Sequence, residues 1–66
     1  MQYVWKKSMS GKEVISMLQK NGWDIAGIRG SHYKLKKNGY ICIVPYHNDL
    51  KKGTLASIKK IVESAE

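Results

Sequence analysis

Residues 32–44, HYKLKKNGYICIV, decide the fold of this chain. Asn38-Gly39 at their centre is a strong short-range signal for a β-hairpin, because a type I′ turn needs positive φ at both central positions. A two-residue turn also fixes the register, so that Lys37 pairs with Tyr40 and Leu35 with Cys42. The stretch therefore predicts two antiparallel strands, over residues 32–37 and 40–44.

The side chains of this hairpin alternate between two faces of the sheet. The predicted core face carries Tyr33, Leu35, Cys42 and Val44, and the other face carries His32, Lys34, Lys36, Ile41 and Ile43. The lysines suit either a solvated face that deters edge-to-edge pairing or a surface that follows phosphates. Exposed isoleucines beside a basic stripe indicate a protein-binding patch.

A first helix is predicted upstream of the hairpin. Ser10 and Glu13 have the spacing of a capping box, in which each side chain bonds an amide at the helix start. An apolar stripe at helical spacing follows, formed by Val14, Ile15 and Leu18 with Met17 at its margin. Asn21-Gly22 is expected to end the helix, because both residues tolerate the left-handed conformation.

The remaining segments predict one more strand and one more helix. Residues 23–28 form a first strand, with Trp23 and Ile25 on one face and a bulge at Gly27. The last helix starts between residues 51 and 54 and runs to about residue 65, with Leu55, Ile58, Ile61, Val62 and Ala65 as its buried stripe. Residues 1–8 show no clear period and fit either an edge strand or an ordered tail.

These elements predict one small α+β domain over residues 1–66, with residues 1–8 as an N-terminal extension. The economical packing is a two-layer α-β-β-β-α sandwich, in which both helices cover one face of a three-stranded antiparallel sheet. A domain of 66 residues buries a thin core and has no room for a deep cleft. Any active site must therefore be shallow.

The charge balance indicates a polyanionic partner. Twelve Lys and Arg residues against five Asp and Glu residues give a net charge of +7. Nucleic acid is the first class of partner this favours, an acidic protein is the second, and a lipid surface also fits. No apolar stretch reaches the length of a membrane span and no signal-peptide pattern is visible, so we expect a cytoplasmic protein that does not bind membranes.

The chain has a single cysteine, Cys42, which excludes an intramolecular disulfide and supplies too few thiolates for a common zinc site. Cys42 lies in an apolar run and is expected to be a buried, inert thiol. No residue is assigned as a metal ligand, and no cofactor is expected.

The tripeptide Gly30-Ser31-His32 stands at the head of the second strand, next to several cations. Histidine both takes and gives a proton near neutrality, which phosphodiester cleavage requires. His47, the other histidine, belongs to the loop after Pro45. From spacing alone, His32 fits either a catalyst or a polar residue on a binding surface.

Four stretches share their order and spacing with a known family. They are Asn21-Gly22-Trp23, Gly30-Ser31-His32, Ile43-Val44-Pro45, and LKKGTL at residues 50–55 followed by Ser57-Ile58. Together they resemble HicA-type toxins, the ribonuclease halves of HicA–HicB toxin–antitoxin pairs. Lys52 stands where that family often has proline, a difference that touches helix initiation and not chemistry. Residues 1–8 lie outside the resemblance.

The resemblance implies a fold similar to the double-stranded-RNA-binding domain and metal-independent endoribonuclease cleavage of single-stranded RNA or mRNA. It also implies neutralisation by a HicB-like antitoxin and makes His32 the catalytic residue, as a general acid or base. The predicted substrate-binding residues around it are Arg29, Gly30, Ser31, Lys34 and Lys36. The second proton-transfer group stays open among Tyr33, Lys34, His47 and water, with Tyr33 disfavoured by its place on the core face.

Two other functions suit the same residues. A non-catalytic double-stranded-RNA-binding module reads backbone and shape and needs no proton shuttle. A protein-interaction domain would use its basic face to meet an acidic partner. The three functions predict different results with RNA. A ribonuclease cleaves it, an RNA-binding module binds it without cleavage, and a protein-interaction domain has no affinity for it at physiological salt.

Overall fold

The computed structural model describes residues 3–66 and contains two helices and one three-stranded antiparallel sheet. The elements are α1 (Gly11–Lys20), β1 (Asp24–Arg29), β2 (His32–Lys37), β3 (Tyr40–Pro45) and α2 (Lys52–Ala65). The strands lie in the order β1-β2-β3, with both helices against one face. This confirms the predicted α+β class. The observed element order is compatible with a double-stranded-RNA-binding-domain likeness, which stays a prediction.

The hairpin has the register predicted from its turn. Lys37 pairs with Tyr40, and the pairing continues through Leu35 with Cys42. Asn38 and Gly39 adopt φ values of 50° and 82°, as a type I′ turn requires. On the inner face Leu35, Cys42 and Val44 are each 0% exposed, whereas Tyr33, also predicted for the core, is half-buried at the end of the strand. The outer face is open to solvent.

The helices close the inner face with the stripes that the sequence predicts. In α1 the buried residues are Gly11, Val14, Ile15 and Leu18, and in α2 they are Leu55, Ile58, Val62 and Ala65. Ile61, predicted as part of the second stripe, is half-buried at its margin. The α2 helix packs on β3, and α1 contacts both β3 and β1. One hydrophobic core therefore lies between the two layers.

The first strand differs from its prediction. It begins at Asp24, so Trp23 precedes it and is buried in the core at 1% exposure. Ile25 pairs with Leu35 and thus faces the helices, yet it is 38% exposed. The physical reason is position, because β1 forms the edge of the sheet opposite the strand that α2 covers. The predicted bulge is present, as the register shifts between Ile25 and Gly27.

The start of α1 is fixed by local and tertiary contacts. The Glu13 amide donates to Ser10 Oγ at 3.1 Å, and the Ser10 amide donates to Glu13 Oε1 at 2.9 Å, which completes the predicted capping box. The Gly11 amide donates to the carbonyl of His47 at 2.8 Å. A Cβ on Gly11 would collide with the carbonyl of Pro45, so only glycine lets the helix approach the end of β3 this closely.

Residues 3–8 form an ordered segment without strand structure, which decides between the two sequence interpretations for the described part. The Val4 amide contacts Met17 Sδ at 3.1 Å, and Ser8 Oγ donates to Asp49 Oδ1 at 2.7 Å. Residues 1 and 2 of the predicted extension lie outside the described residues.

Polar contacts tie the Asn38-Gly39 turn to the ends of both helices. Lys37 Nζ donates to the carbonyl of Asn21, after α1, and to Glu66 Oε2, after α2, both at 2.7 Å. Tyr3 Oη donates to the same Glu66 oxygen at 2.7 Å, and Asn38 Nδ2 donates to the Ala65 carbonyl at 3.1 Å. We call this region the closed end of the sheet.

Candidate functional site

The opposite end of the sheet is formed by the turn Gly30-Ser31, which connects β1 to β2. Gly30 has a φ of 59°, as the first central residue of a type II′ turn requires. The turn pairs Arg29 directly with His32. Directly paired residues of antiparallel strands point to the same face, so the side chains of Arg29 and His32 project side by side from the outer face.

A shallow depression on the outer face begins at this pair. Its lining residues are Ala26, Gly27, Ile28, Arg29, His32, Lys34 and Ile43. Three predicted site residues, Arg29, His32 and Lys34, thus meet in one place. Gly27 pairs with Lys34 across the strands, and no atom lies within 4 Å of where its Cβ would be. The bulge glycine therefore leaves space over the sheet, where a side chain would otherwise stand.

The chemistry of this depression is cationic and solvent-accessible. Arg29, His32 and Lys34 are all exposed, and Ile43 beside them is 54% exposed. A guanidinium and an ammonium in one small area favour phosphate oxygens, to which arginine can donate two parallel hydrogen bonds. The imidazole of His32 in the same depression supplies a group that exchanges protons. The arrangement can bind a phosphodiester and move a proton at it.

The other predicted substrate-binding residues lie around the depression and do not line it. Lys36 is on the same face but two residues farther along β2, where it pairs with Asp24 and Ile41. Gly30-Ser31 forms the exposed rim. The Ser31 carbonyl accepts a 2.6 Å hydrogen bond from the Tyr46 amide, which holds the rim against the loop that follows β3.

The candidates for a second proton-transfer group are separated by the fold. Tyr33 faces the helix side, is half-buried, and stacks on Tyr46. His47 is exposed in the loop after β3 and is not among the residues that line the depression. Lys34 alone of the candidate side chains shares the depression with His32.

Two features of the site were absent from the sequence interpretation. Ala26 and Gly27 line the depression, and Tyr46 stacks beside the rim. The glycine inside a strand signalled the bulge but not that the bulge would face His32. Tyr46 follows Pro45 in a loop and belongs to no periodic pattern. Its contact with Tyr33 depends on how the two strands of the hairpin pair, so the sequence around Tyr46 does not indicate it.

Cys42 is buried on the inner face, as predicted. Burial raises the pKa of its thiol to about 11, so the thiol stays protonated at neutral pH. Within residues 3–66, no group of three or more His, Cys, Asp or Glu side chains is placed to hold a metal ion. Over the same range, neither helix has the length and apolar character needed to cross a bilayer.

A family model described as HicA toxin of bacterial toxin-antitoxin matches residues 11–63. The match runs from the start of α1 into the last turns of α2 and contains every residue that lines the depression. Comparisons with curated proteins and with solved structures found no match. The family model covers most of the chain, and the chain therefore belongs to the HicA toxin family of bacterial toxin–antitoxin systems.

Proposed function

We propose that this toxin is a metal-independent endoribonuclease that cleaves mRNA, with His32 as its general acid or base. The observation that carries the proposal is the direct pairing of Arg29 with His32, with Lys34 in the same depression. Substrate and enzyme would meet on an exposed surface, which suits the long, flexible backbone of single-stranded RNA. Because the substrate is mRNA, we place the activity in the cytoplasm.

The reaction begins with transfer of the proton of an RNA 2′-hydroxyl to the imidazole of His32. The 2′-oxygen then attacks the adjacent phosphorus, and the bond from phosphorus to the 5′-oxygen of the next nucleotide breaks. The products are a 2′,3′-cyclic phosphate and a 5′-hydroxyl, once the leaving oxygen has taken up a proton. Lys34 or water is the donor that the positions of the side chains favour.

Arg29 and Lys34 stabilise the charge that develops on the non-bridging phosphate oxygens. A Cβ at Gly30 would project into open space, with no other protein atom within 4 Å. Because glycine lacks this atom, the RNA backbone can approach the rim. Ser31 offers a hydroxyl to a phosphate or to the imidazole. Lys36, farther along the strand, contacts a neighbouring phosphate and adds affinity without taking part in chemistry.

The antitoxin of this system is proposed to be a HicB-like protein that docks on the outer face. Ile41 and Ile43 are 49% and 54% exposed, and Ile43 lines the depression, so an apolar segment that covers both also covers the approach to His32. Replacing Ile41, which is exposed but does not line the depression, with Ser should weaken the complex and restore cleavage in the presence of antitoxin. A complex that leaves this face open would contradict direct occlusion.

The test of the nuclease is incubation of the purified protein with end-labelled single-stranded RNA in the presence of a chelator. We expect cleavage by the wild type and a loss of about 10²- to 10⁴-fold in rate for His32→Ala, the range that a positioned proton-transfer group supplies. Its matched control is His47→Ala, which removes the other exposed histidine and keeps the carbonyl that the Gly11 amide bonds.

The outcomes separate the three candidate functions. Full activity in a folded His32→Ala variant would contradict the catalytic role. Binding without cleavage, with strong salt dependence, would identify a non-catalytic RNA-binding module. No affinity for RNA at physiological salt would identify a protein-interaction domain. Toxicity to cells should follow cleavage, so expression of His32→Ala should not arrest growth.

A further inference from the structure

Two stacked tyrosines lie at the same end of the sheet as the proposed site. The ring centroids of Tyr33 and Tyr46 are 5.0 Å apart and the ring planes are inclined by 24°. Tyr33 is half-buried and packs against the core, whereas Tyr46 is 43% exposed. Tyr46 is thus the outer ring of the pair, supported from beneath by Tyr33.

The pair is attached directly to the rim of the depression. The Tyr46 amide donates to the Ser31 carbonyl at 2.6 Å, and Tyr33 follows His32 in β2. Tyr33 pairs with Ile28, which is 57% exposed and also lines the depression. The depression and the tyrosines thus lie on opposite faces of the same end of the sheet, and the exposed turn Gly30-Ser31 forms the surface between them.

The chemistry of this surface favours a nucleobase over an apolar protein segment. The chain carries a net charge of +7, and Arg29 is exposed next to Ile28, so a polyanion is attracted to this end. Every base presents a flat π-face, and stacking on an exposed aromatic ring adds affinity whatever the base. A ring held rigidly by a second ring loses little freedom when it binds.

We propose that Tyr46, supported by Tyr33, forms a base-stacking subsite for a nucleotide next to the phosphate that is cleaved. This inference rests on the proposed ribonuclease function and adds a second contact to it. The phosphodiester lies in the depression, the backbone crosses the rim at Gly30-Ser31, and the neighbouring base rests on the outer face of Tyr46. Stacking then fixes the position of the RNA along the sheet, so that the 2′-hydroxyl reaches His32.

The first test compares variants at Tyr46 in RNA binding. A 2′-O-methyl RNA of fixed sequence serves as the probe, because its blocked 2′-oxygens prevent cleavage. We expect Tyr46→Ala to weaken binding by about tenfold, within the range that one stacked base contributes, and Tyr46→Phe to bind within about twofold of the wild type. Tyr40→Ala is the matched control, since Tyr40 is also 43% exposed but lies at the closed end.

The second test distinguishes stacking from support of the loop. Single abasic nucleotides are placed at successive positions of the same probe, and each dissociation constant is measured with the wild type and with Tyr46→Ala. We expect one abasic position to weaken binding to the wild type by about tenfold and to have no further effect on Tyr46→Ala. Equal melting temperatures of the two proteins show that the loop is intact.

The proposal fails if no abasic position weakens binding to the wild type, or if the penalty is the same in both proteins. It also fails if Tyr46→Ala weakens the antitoxin complex and leaves RNA binding unchanged, because the ring is then a protein contact. If the wild type binds and cleaves RNA in either case, the ribonuclease function stands without the subsite. If the wild type neither binds the probe nor cleaves labelled RNA, both are overturned.

Discussion

The two turns of the sheet share a two-residue length and a glycine at positive φ, but they differ in turn type and in surroundings. Gly30 and Gly39 both have positive φ, of 59° and 82°, and neither would place a Cβ within 4 Å of another atom. At the closed end, Lys37 and Asn38 bond the ends of both helices. At the other end, the side chains of Arg29 and His32 stay exposed. The comparison teaches that a short turn with a positive-φ glycine is anchored to both helices at one end of the sheet and leaves its neighbouring side chains exposed at the other.

Replacing each turn glycine with alanine tests this comparison most strongly. Both substitutions place a Cβ on a residue at positive φ, at a cost of about 1–2 kcal/mol in the free energy of unfolding. Gly30→Ala should also lower the rate of RNA cleavage by up to about a hundredfold, because the added methyl group keeps the RNA backbone away from His32. Gly39→Ala should leave cleavage unchanged below its melting temperature. Equal activity of the two folded variants would remove the functional distinction between the turns.

The lysines of β2 give a finer version of the same test. Lys34 lines the depression with His32, while Lys36 lies nearer the closed end and pairs with Asp24. We expect Lys34→Gln to lower kcat/KM by about tenfold, and Lys36→Gln to act mainly on binding and on its salt dependence. Steady-state cleavage at two salt concentrations distinguishes the effects. Equal losses in kcat would show that both lysines stabilise the transition state, and would contradict the distinction between them.

The smallest expected effect concerns stability at the closed end. Hydrogen bonds from Lys37 and Tyr3 lower the pKa of Glu66, so its contribution to stability is complete above its unfolded pKa and is lost as the pH falls through the folded value. The hydrogen bond to Glu66 raises the pKa of Lys37, so that residue's contribution is lost only as the pH rises through its folded value. The pair therefore stabilises the fold between about pH 5 and 10.

Glu66→Gln should flatten the acid side of the stability profile, measured by thermal unfolding between pH 3 and 7. Glu63→Gln is the control, because Glu63 contributes its backbone carbonyl to the helix end. An unchanged acid limb in Glu66→Gln would show that Glu13, whose carboxylate has a lowered pKa in the capping box, dominates instead. Cleavage at neutral pH should be the same in both variants.

The hairpin and the first helix were predictable because their signals are local. Asn38-Gly39 sets the turn and with it every pair along two strands, and Ser10 with Glu13 sets the start of α1. The face of each residue in the hairpin follows from alternation alone. Position in the sheet is not local, which is why Ile25 is more exposed than a core residue.

The candidate site was predictable only in part. The register places His32, Lys34 and Lys36 on one face, but it does not distinguish Lys34 from Lys36. That distinction comes from the bulge at Gly27 in β1, because the bulge leaves the depression opposite Lys34 and not opposite Lys36. The contact between Tyr33 and Tyr46 likewise joins two segments through tertiary structure, so the sequence around either residue does not predict it.

The closed end also contains both tryptophans of the chain, whose fluorescence can be used to follow folding. Trp23 is buried there, and its indole Nε1 donates to Tyr3 Oη at 3.0 Å, while Trp5 stacks on the Tyr3 ring. The six residues of β2 separate this region from His32 by about 17 Å. Tryptophan emission therefore reports folding from a place well separated from the proposed catalytic residue. RNA or antitoxin can be titrated into the protein while the same optical signal records whether the domain remains intact.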